Sequence, residues 1–476
     1  MPRSFALPGL SYNRKLANFT LTGDDMALTD KAATPERPAG RETNKAHDTT
    51  HAGKHIVLTT FGSFGDVHPY MAVALELKAR GHRAVIATGN YYREKIEAAG
   101  IEFHAVRPDL PPLEEAAELV AKIMDVRTGA EFLFKELITP HARDSYEDLF
   151  EATRSADLLL THVATLTGPI VAQKTGIPWL SSVLAPTSFF SIHDPLVPPL
   201  APGLVHLLRL HPAIARQFGN FMKRATHSWV ENIYKLRAEL GLPEGEHPIF
   251  EGQHSPELVL AMFSKVLGEP QPDWPPHTLI TGFPFYDRKD ATGMPPGLKK
   301  FLDEGPAPIV FTLGSSAIFV AEDFYKESIA AARQLKRRAV LLIGDPVNMP
   351  AEPLPDEIVA FEYAPYSEIL PRAAAIVHQG GVGTTGQALR AGVPMLVVPF
   401  NHDQPDNAMR IARLGVGRSL SRKKYRARRV ASELDKLLNE PAYAQKAAGV
   451  GRIVKAEDGA RATCDAIEAA LRKRVG

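Results

Sequence analysis

The stretch 378–408, HQGGVGTTGQALRAGVPMLVVPFNHDQPDNA, holds the residue types best suited to chemistry in this chain. Gly380, Gly381 and Gly383 carry no Cβ, so the backbone can pass close to a ligand there. Thr384 and Thr385 follow at the start of a helix, where free N–H groups and the helix dipole favour an anion. Gly392 ends that helix, and Pro394 keeps it ended. A diphosphate at this helix start is the ligand that the physics suggests. A purely structural turn accounts for the same glycines equally well, because a Gly-rich turn before a helix is a weak signal. His378 could likewise be a satisfied histidine closing a strand, and Asp403 a helix cap. The chain has no Asp-x-Asp pair and no His/Cys cluster with zinc spacing, so no metal is indicated.

Parallel strands must hold these residues. Residues 55–60, HIVLTT, form a short apolar run suited to a buried parallel strand. A helix is expected over 69–80, with Tyr70, Val73, Ala74 and Leu77 on one face and Gly81 as its stop. Residues 84–88 make the next strand, and strand, helix, strand opens a doubly wound sheet. The pattern recurs at 157–161, 169–175 and 179–183. It begins afresh near 306, with strands over 309–313, 339–343, 373–377 and 396–398. The fold class is therefore α/β, with two doubly wound Rossmann-like domains facing a cleft and ligands at the carboxyl ends of the strands. The expected division is a disordered extension over 1–54, domains over 55–290 and 291–455, and a C-terminal helix over 456–476 that packs back on the first domain. The Pro-rich, apolar segment 185–212 suits a pocket wall or lid and a core-covering loop equally.

At 476 residues the chain is long enough for two ordinary domains. Lys and Arg number 55 against 54 Asp and Glu, a net charge of +1 that argues against a nucleic-acid coat. The single cysteine, Cys464, cannot pair internally, which suits a reducing, cytoplasmic compartment. No stretch approaches the ~18 to 20 consecutive apolar residues of a membrane span, and no secretory signal is expected. The basic run 422–429 suits a solvated surface, with peripheral membrane contact as the other reading. Oligomeric state is open.

The 378–408 segment resembles the donor-binding signature of glycosyltransferase family 1, the UDP-glycosyltransferases of the GT-B fold. The resemblance extends to Tyr363-Ala-Pro-Tyr366, to Phe311-Thr-Leu-Gly-Ser315 and to Gly62-Ser-Phe-Gly-Asp-Val-His-Pro69. It is nearest in character to bacterial antibiotic, flavonoid and sterol glycosyltransferases. It implies an inverting, metal-independent transfer of a hexose to a hydroxyl of a small apolar acceptor. The co-substrate would be a nucleotide sugar, UDP-glucose, and no further cofactor is implied. A deoxysugar donor such as dTDP-rhamnose, a sugar-nucleotide epimerase and a non-catalytic sugar-nucleotide-binding subunit are the alternatives.

Carried over residue by residue, the resemblance implies that His378, Gly380, Gly383, Thr384, Thr385 and Ser315 hold the diphosphate. Asp403 and Gln404 would grip sugar hydroxyls. Tyr363, with Tyr366 in the same motif, would stack on the base. Gln387 stands where many members use glutamate on the ribose, which leaves uridine against thymidine open. Members with a first-loop histidine orient it with a later aspartate; here Asp66 and His162 occupy those places in exchange. The pair is the expected catalytic dyad, with a helix cap as the other reading of Asp66. Phe64, His68, Phe189 and Phe190 are the expected acceptor-pocket residues.

Overall fold

The apolar runs assemble into two all-parallel sheets in a computed structural model that describes residues 53–111, 116–287 and 293–473. The first sheet contains β1 (His55–Thr59), β2 (Arg83–Thr88), β3 (Glu102–Ala105), β4 (Leu158–His162), β5 (Trp179–Val183), β6 (Val259–Ala261) and β7 (Thr278–Ile280). Its order is β3-β2-β1-β4-β5-β6-β7. The second contains β8 (Ile309–Thr312), β9 (Ala339–Leu342), β10 (Ile358–Phe361), β11 (Ala375–His378), β12 (Met395–Val397) and β13 (Gly417–Ser419), in the order β10-β9-β8-β11-β12-β13. Central strands such as β1 and β4 are buried on both faces, which is why they read as unbroken apolar runs. The anticipated extension lies outside the described residues up to 52, and the anticipated boundary at 290 falls within 288–292, also outside them.

Eight helices carry the argument that follows: α1 (Phe64–Ala79), α2 (Leu204–Leu208), α3 (Pro212–Thr226), α4 (Glu231–Glu239), α5 (Val382–Ala391), α6 (Gln404–Leu414), α7 (Pro441–Ala456) and α8 (Gly459–Lys473). Helix α1 starts five residues before the expected Pro69. A capping box accounts for the difference. Ser63 Oγ accepts from Gly65 N at 3.2 Å, and Asp66 Oδ2 accepts from Ser63 N at 2.7 Å. These bonds satisfy the first free N–H groups, and the helix then tolerates Pro69 in its second turn. Helix α8 lies on α1: Cys464, Ala466, Ile467 and Leu471 share a core with Met71, Ala74 and Leu77, and Arg80 donates to Asp465 at 2.7 Å.

The Pro-rich loop after β5 is a core-covering loop tied across the domains. Phe189 stacks on Trp274 with ring centroids 4.1 Å apart. Further along, Asp194 accepts from Arg410 Nη1 at 2.6 Å and from Arg413 at 3.1 Å. Arg410 also donates to Asp406 at 2.6 Å and to the Leu267 carbonyl at 3.2 Å, while Val197 N donates to Asp406 at 3.2 Å. Arg410 is only 3 % exposed and Asp406 1 %, so these charges survive burial because each has a partner.

Candidate active site

Each sheet reverses strand order once, between β1 and β4 in the first and between β8 and β11 in the second. Crevices at carboxyl ends open at such switch points. Asp66 lies just beyond β1, and His162 ends β4. The turn holding Ser315 follows β8, and His378 ends β11. The fold thus places the four at its two switch points. The starts of α1 and α5 also meet: a Cβ on Gly383 would lie 3.8 Å from the Gly65 Cα.

His162 Nε2 stands 3.7 Å from Asp66 Oδ1. The other ring nitrogen, Nδ1, accepts from Ala164 N at 3.4 Å, so in the neutral ring Nε2 carries the proton and faces the carboxylate. Burial lowers the His162 pKa, and the Asp66 charge opposes that shift. The ring is therefore neutral at pH 7. Tyr70 stands edge-on to it at 6.0 Å, and its hydroxyl is fixed by Ser182 Oγ at 2.6 Å. Asp66 divides its work: Oδ2 serves the capping box while Oδ1 faces His162. Gly62, at φ +138°, makes room for this carboxylate, because a Cβ there would lie 2.6 Å from Asp66 Cγ.

Across the cleft, His378 Nδ1 accepts from Gly380 N at 3.1 Å, and its buried Nε2 has no partner. Burial pushes its pKa down to about 3, so the neutral ring offers an unspent N–H. Gln379 Oε1, Thr385 Oγ1 and Asn407 Oδ1 are buried without partners as well. Gly380 is required by its φ of +93° and by Val397, whose Cγ1 would lie 2.6 Å from a Cβ. Thr384 is hydrogen-bonded to the half-buried Tyr366, whose hydroxyl also meets Thr312 Oγ1 at 2.9 Å, so Tyr366 braces the loop from behind. Ser315 is half-buried in the turn after β8.

Asp403 and Gln404 sit beside the loop, already engaged. The Asp403 carboxylate accepts from Val382 N at 3.2 Å and from Asn407 Nδ2 at 2.7 Å, and so covers the start of α5. Burial, reinforced by the Asp66 charge, pushes its pKa up to about 7. Gln404 Oε1 accepts from Phe400 N at 2.8 Å and Asn401 N at 3.2 Å, closing the turn before α6. Its carbonyl is spent on the backbone, which leaves the amide for a ligand. A carboxyl whose folded pKa lies above its unfolded value costs stability once pH exceeds that unfolded value, and the full cost is present above the folded pKa. Asp403→Asn is therefore expected to raise stability at pH 8 by roughly 2–4 kcal/mol and to change it little at pH 4, as read from chemical denaturation at the two pH values.

The other expected residues have varied surroundings. Tyr363 is 55 % exposed on the surface. Gln387 is held by Asp287 and Arg390, and Arg390 lies over the Phe285 ring at 4.0 Å. The expected acceptor-pocket residues fall into two groups. His68 is sandwiched between Phe64 at 5.3 Å and Tyr286 at 5.2 Å, and Phe64 packs edge-on to Tyr92. Phe189 is core, and Phe190 packs on Phe250 at 4.5 Å. The loop that follows His162 borders a small crevice bounded by Thr60, Phe61, Val106, Arg107, Ile138, Ser145, Thr165 and Ile233. A second crevice, sharing Phe61 and Pro108, reaches Tyr91 and Leu110. Ile138 ends a π-helical segment, Phe132–Ile138, whose altered period hides it from a search for helical or strand spacing.

Among the described residues no three His, Cys, Asp or Glu gather as a metal site, and no helix is long and apolar enough to cross a membrane. Residues 56–186 match the glycosyltransferase family 28 N-terminal domain, and residues 327–465 match the erythromycin biosynthesis protein CIII-like C-terminal domain. The chain is 32 % identical over 423 residues to the O-mycaminosyltylonolide 6-deoxyallosyltransferase of Streptomyces fradiae, covering 87 % of this chain and 96 % of that one. It is 29 % identical over 441 residues to a sterol 3-beta-glucosyltransferase of Cryptococcus neoformans; these residues are 87 % of this chain but 27 % of that much longer protein. Among solved structures, the glycosyltransferase of kitacinnamycin superposes with a TM-score of 0.66 at 22 % identity, covering 88 % of this chain and 99 % of that one. A spinosyn rhamnosyltransferase superposes with a TM-score of 0.63 at 16 % identity, covering 87 % and 100 %. With this fold, these switch-point loops and these relatives, the chain belongs to the GT-B UDP-glycosyltransferase family and is a sugar-transferring enzyme.

Proposed function

We propose that the enzyme transfers a hexose from a nucleoside diphosphate sugar, UDP-glucose, to a hydroxyl of a small apolar acceptor, with inversion and without a metal ion. The observation that carries this reading is the set of buried, unpartnered polar atoms on His378, Gln379, Thr385 and Asn407, gathered at one switch point. Buried polar groups cost free energy unless bonded, and a diphosphate with its sugar would supply the missing partners. Charge developing on the departing diphosphate meets His378 Nε2–H and the start of α5, dipoles fixed in place before reaction. On the opposite side, Asp66 Oδ1 accepts the proton of the acceptor hydroxyl, and the His162 N–H holds and stabilises that carboxylate. A nucleophile from the α1 side and a leaving group on the α5 side fit attack opposite the departing bond, hence inversion. A phenolic, macrocyclic or sterol-like acceptor is the class proposed, the last two in keeping with the names of the relatives.

A deoxysugar donor is the second reading. The 6-deoxyallosyl specificity in the name of one relative favours it, as does the commitment of Gln404 Oε1 to the backbone, which removes one partner for a sugar hydroxyl. Sites built to bond a hydroxyl strongly reject analogues that lack it. UDP-glucose is accordingly expected to outcompete dTDP-rhamnose by roughly a hundredfold or more in kcat/KM. Mixed-donor turnover analysed by mass spectrometry decides the point, and faster consumption of dTDP-rhamnose would establish the second reading.

A further inference from the structure

Between Asp194 and Glu231 the chain contains no acidic residue, although Arg209, Arg216, Lys223 and Arg224 all lie there. The same excursion, comprising the end of the Pro-rich loop, α2 and α3, exposes large apolar side chains. Leu200 is 63 % exposed, Leu207 47 %, Leu210 72 % and Phe221 62 %. Single exposed leucines need no explanation, but four large apolar residues within 22 positions do. Leu207 and Leu210 project from one helical turn, since Leu210 N donates to the Leu207 carbonyl. Helix α3 turns Ala215 and Thr226 inward and leaves Arg216, Phe221 and Arg224 in solvent, Arg224 one turn beyond Phe221. Two of the cations are otherwise occupied: Lys223 pairs with Glu251, and Arg209 turns inward to Met409 and Asp194.

We propose that this excursion is a docking face for an anionic phospholipid bilayer, with its leucines and Phe221 entering the headgroup boundary while Arg216 and Arg224 meet lipid phosphates. Apolar side chains flanked by cations, with no carboxylate in the segment, are the composition that an anionic interface selects. A protein partner or a second copy would bury the apolar groups too, but neither would favour a segment without a single carboxylate of its own, although Glu251 reaches Lys223 from outside it. The position adds a reason. The chain runs from α3 into α4, whose Ile233 lines the crevice bordered by the loop after His162. An acceptor dissolved in the bilayer would thus meet the protein next to its site. That purpose rests on the apolar-acceptor reading, whereas the docking itself does not.

Co-sedimentation of the full chain with vesicles, without donor or acceptor, tests it independently of catalysis. Phosphatidylcholine vesicles containing phosphatidylglycerol should bind the protein, and phosphatidylcholine alone should bind it at least about tenfold more weakly. A Leu207→Glu/Leu210→Glu variant should lose roughly a hundredfold in partitioning, and Arg216→Glu/Arg224→Glu about tenfold or more at low salt. Both variants should retain turnover of a water-soluble phenol. The proposal is overturned if the protein binds neither vesicle, binds both alike, or keeps its binding in the leucine variant. It is equally overturned if sedimentation equilibrium shows a dimer that the leucine variant splits.

Discussion

His378→Ala is expected to lower kcat and kcat/KM together by roughly 30- to 1000-fold, about 2–4 kcal/mol of transition-state stabilisation. The ring donates through Nε2, and that proton has no partner within the protein. Its value to the reaction grows as negative charge gathers on the leaving diphosphate, so the loss belongs in kcat rather than in donor KM. Burial holds the ring neutral down to about pH 3, so the effect should be flat from pH 6 to 9. Steady-state kinetics across that range check it, with the thermal midpoint recorded to exclude simple unfolding. A variant with near-normal kcat would remove His378 from the diphosphate.

The second large effect concerns the facing pair. Asp66→Asn keeps an oxygen for Ser63 N, and thus the start of α1, while removing the proton acceptor. A loss of roughly 100- to 10,000-fold in kcat is expected, the ordinary range for general-base catalysis. His162→Ala should lose a similar factor, and the double variant should be little worse than either single one, because members of one unit are not additive. If His162→Ala keeps most of its activity while Asp66→Asn is dead, Asp66 acts alone and the dyad is wrong.

Most central strands were legible in the sequence because burial on both faces leaves an apolar run, as in Ile56–Val57–Leu58 and Leu158–Leu159–Leu160, although β6, interior and only three residues long, was too short to stand out. Edge strands were not. β3 reads Glu-Phe-His-Ala and β13 Gly-Arg-Ser, and such strands owe their existence to a neighbour's backbone rather than to their own pattern. The start of α1 was hidden for a related reason: Pro69 is a strong local signal, but the Ser63–Asp66 capping box outweighs it. In the site, motif order pointed to Asp66 and His162, which the fold places face to face. The engagement of Gln404 depends on how the chain turns at 400–401, and no spacing rule reports that. The surroundings of Phe189 and Phe190 were not legible, because a loop's apolar content is the same whether it lines a pocket or covers a core.

The Asp194–Arg410–Asp406 cluster bears on how such enzymes can be recombined. The two domains look interchangeable, with a natural seam near residue 290. Yet Arg410 and Asp406 belong to the second domain, and both Asp194 and the Leu267 carbonyl belong to the first. A chimera cut at the seam would leave a guanidinium sealed in the interface with two of its three partners missing, or Asp194 facing an apolar helix. Unpaired buried charge of that kind costs on the order of 3–5 kcal/mol, enough to unfold many natural proteins. Exchanging sugar specificity between relatives therefore means moving residues 194–197 together with α6, so the unit of inheritance is not the domain but the domain plus the strap that reaches across to it.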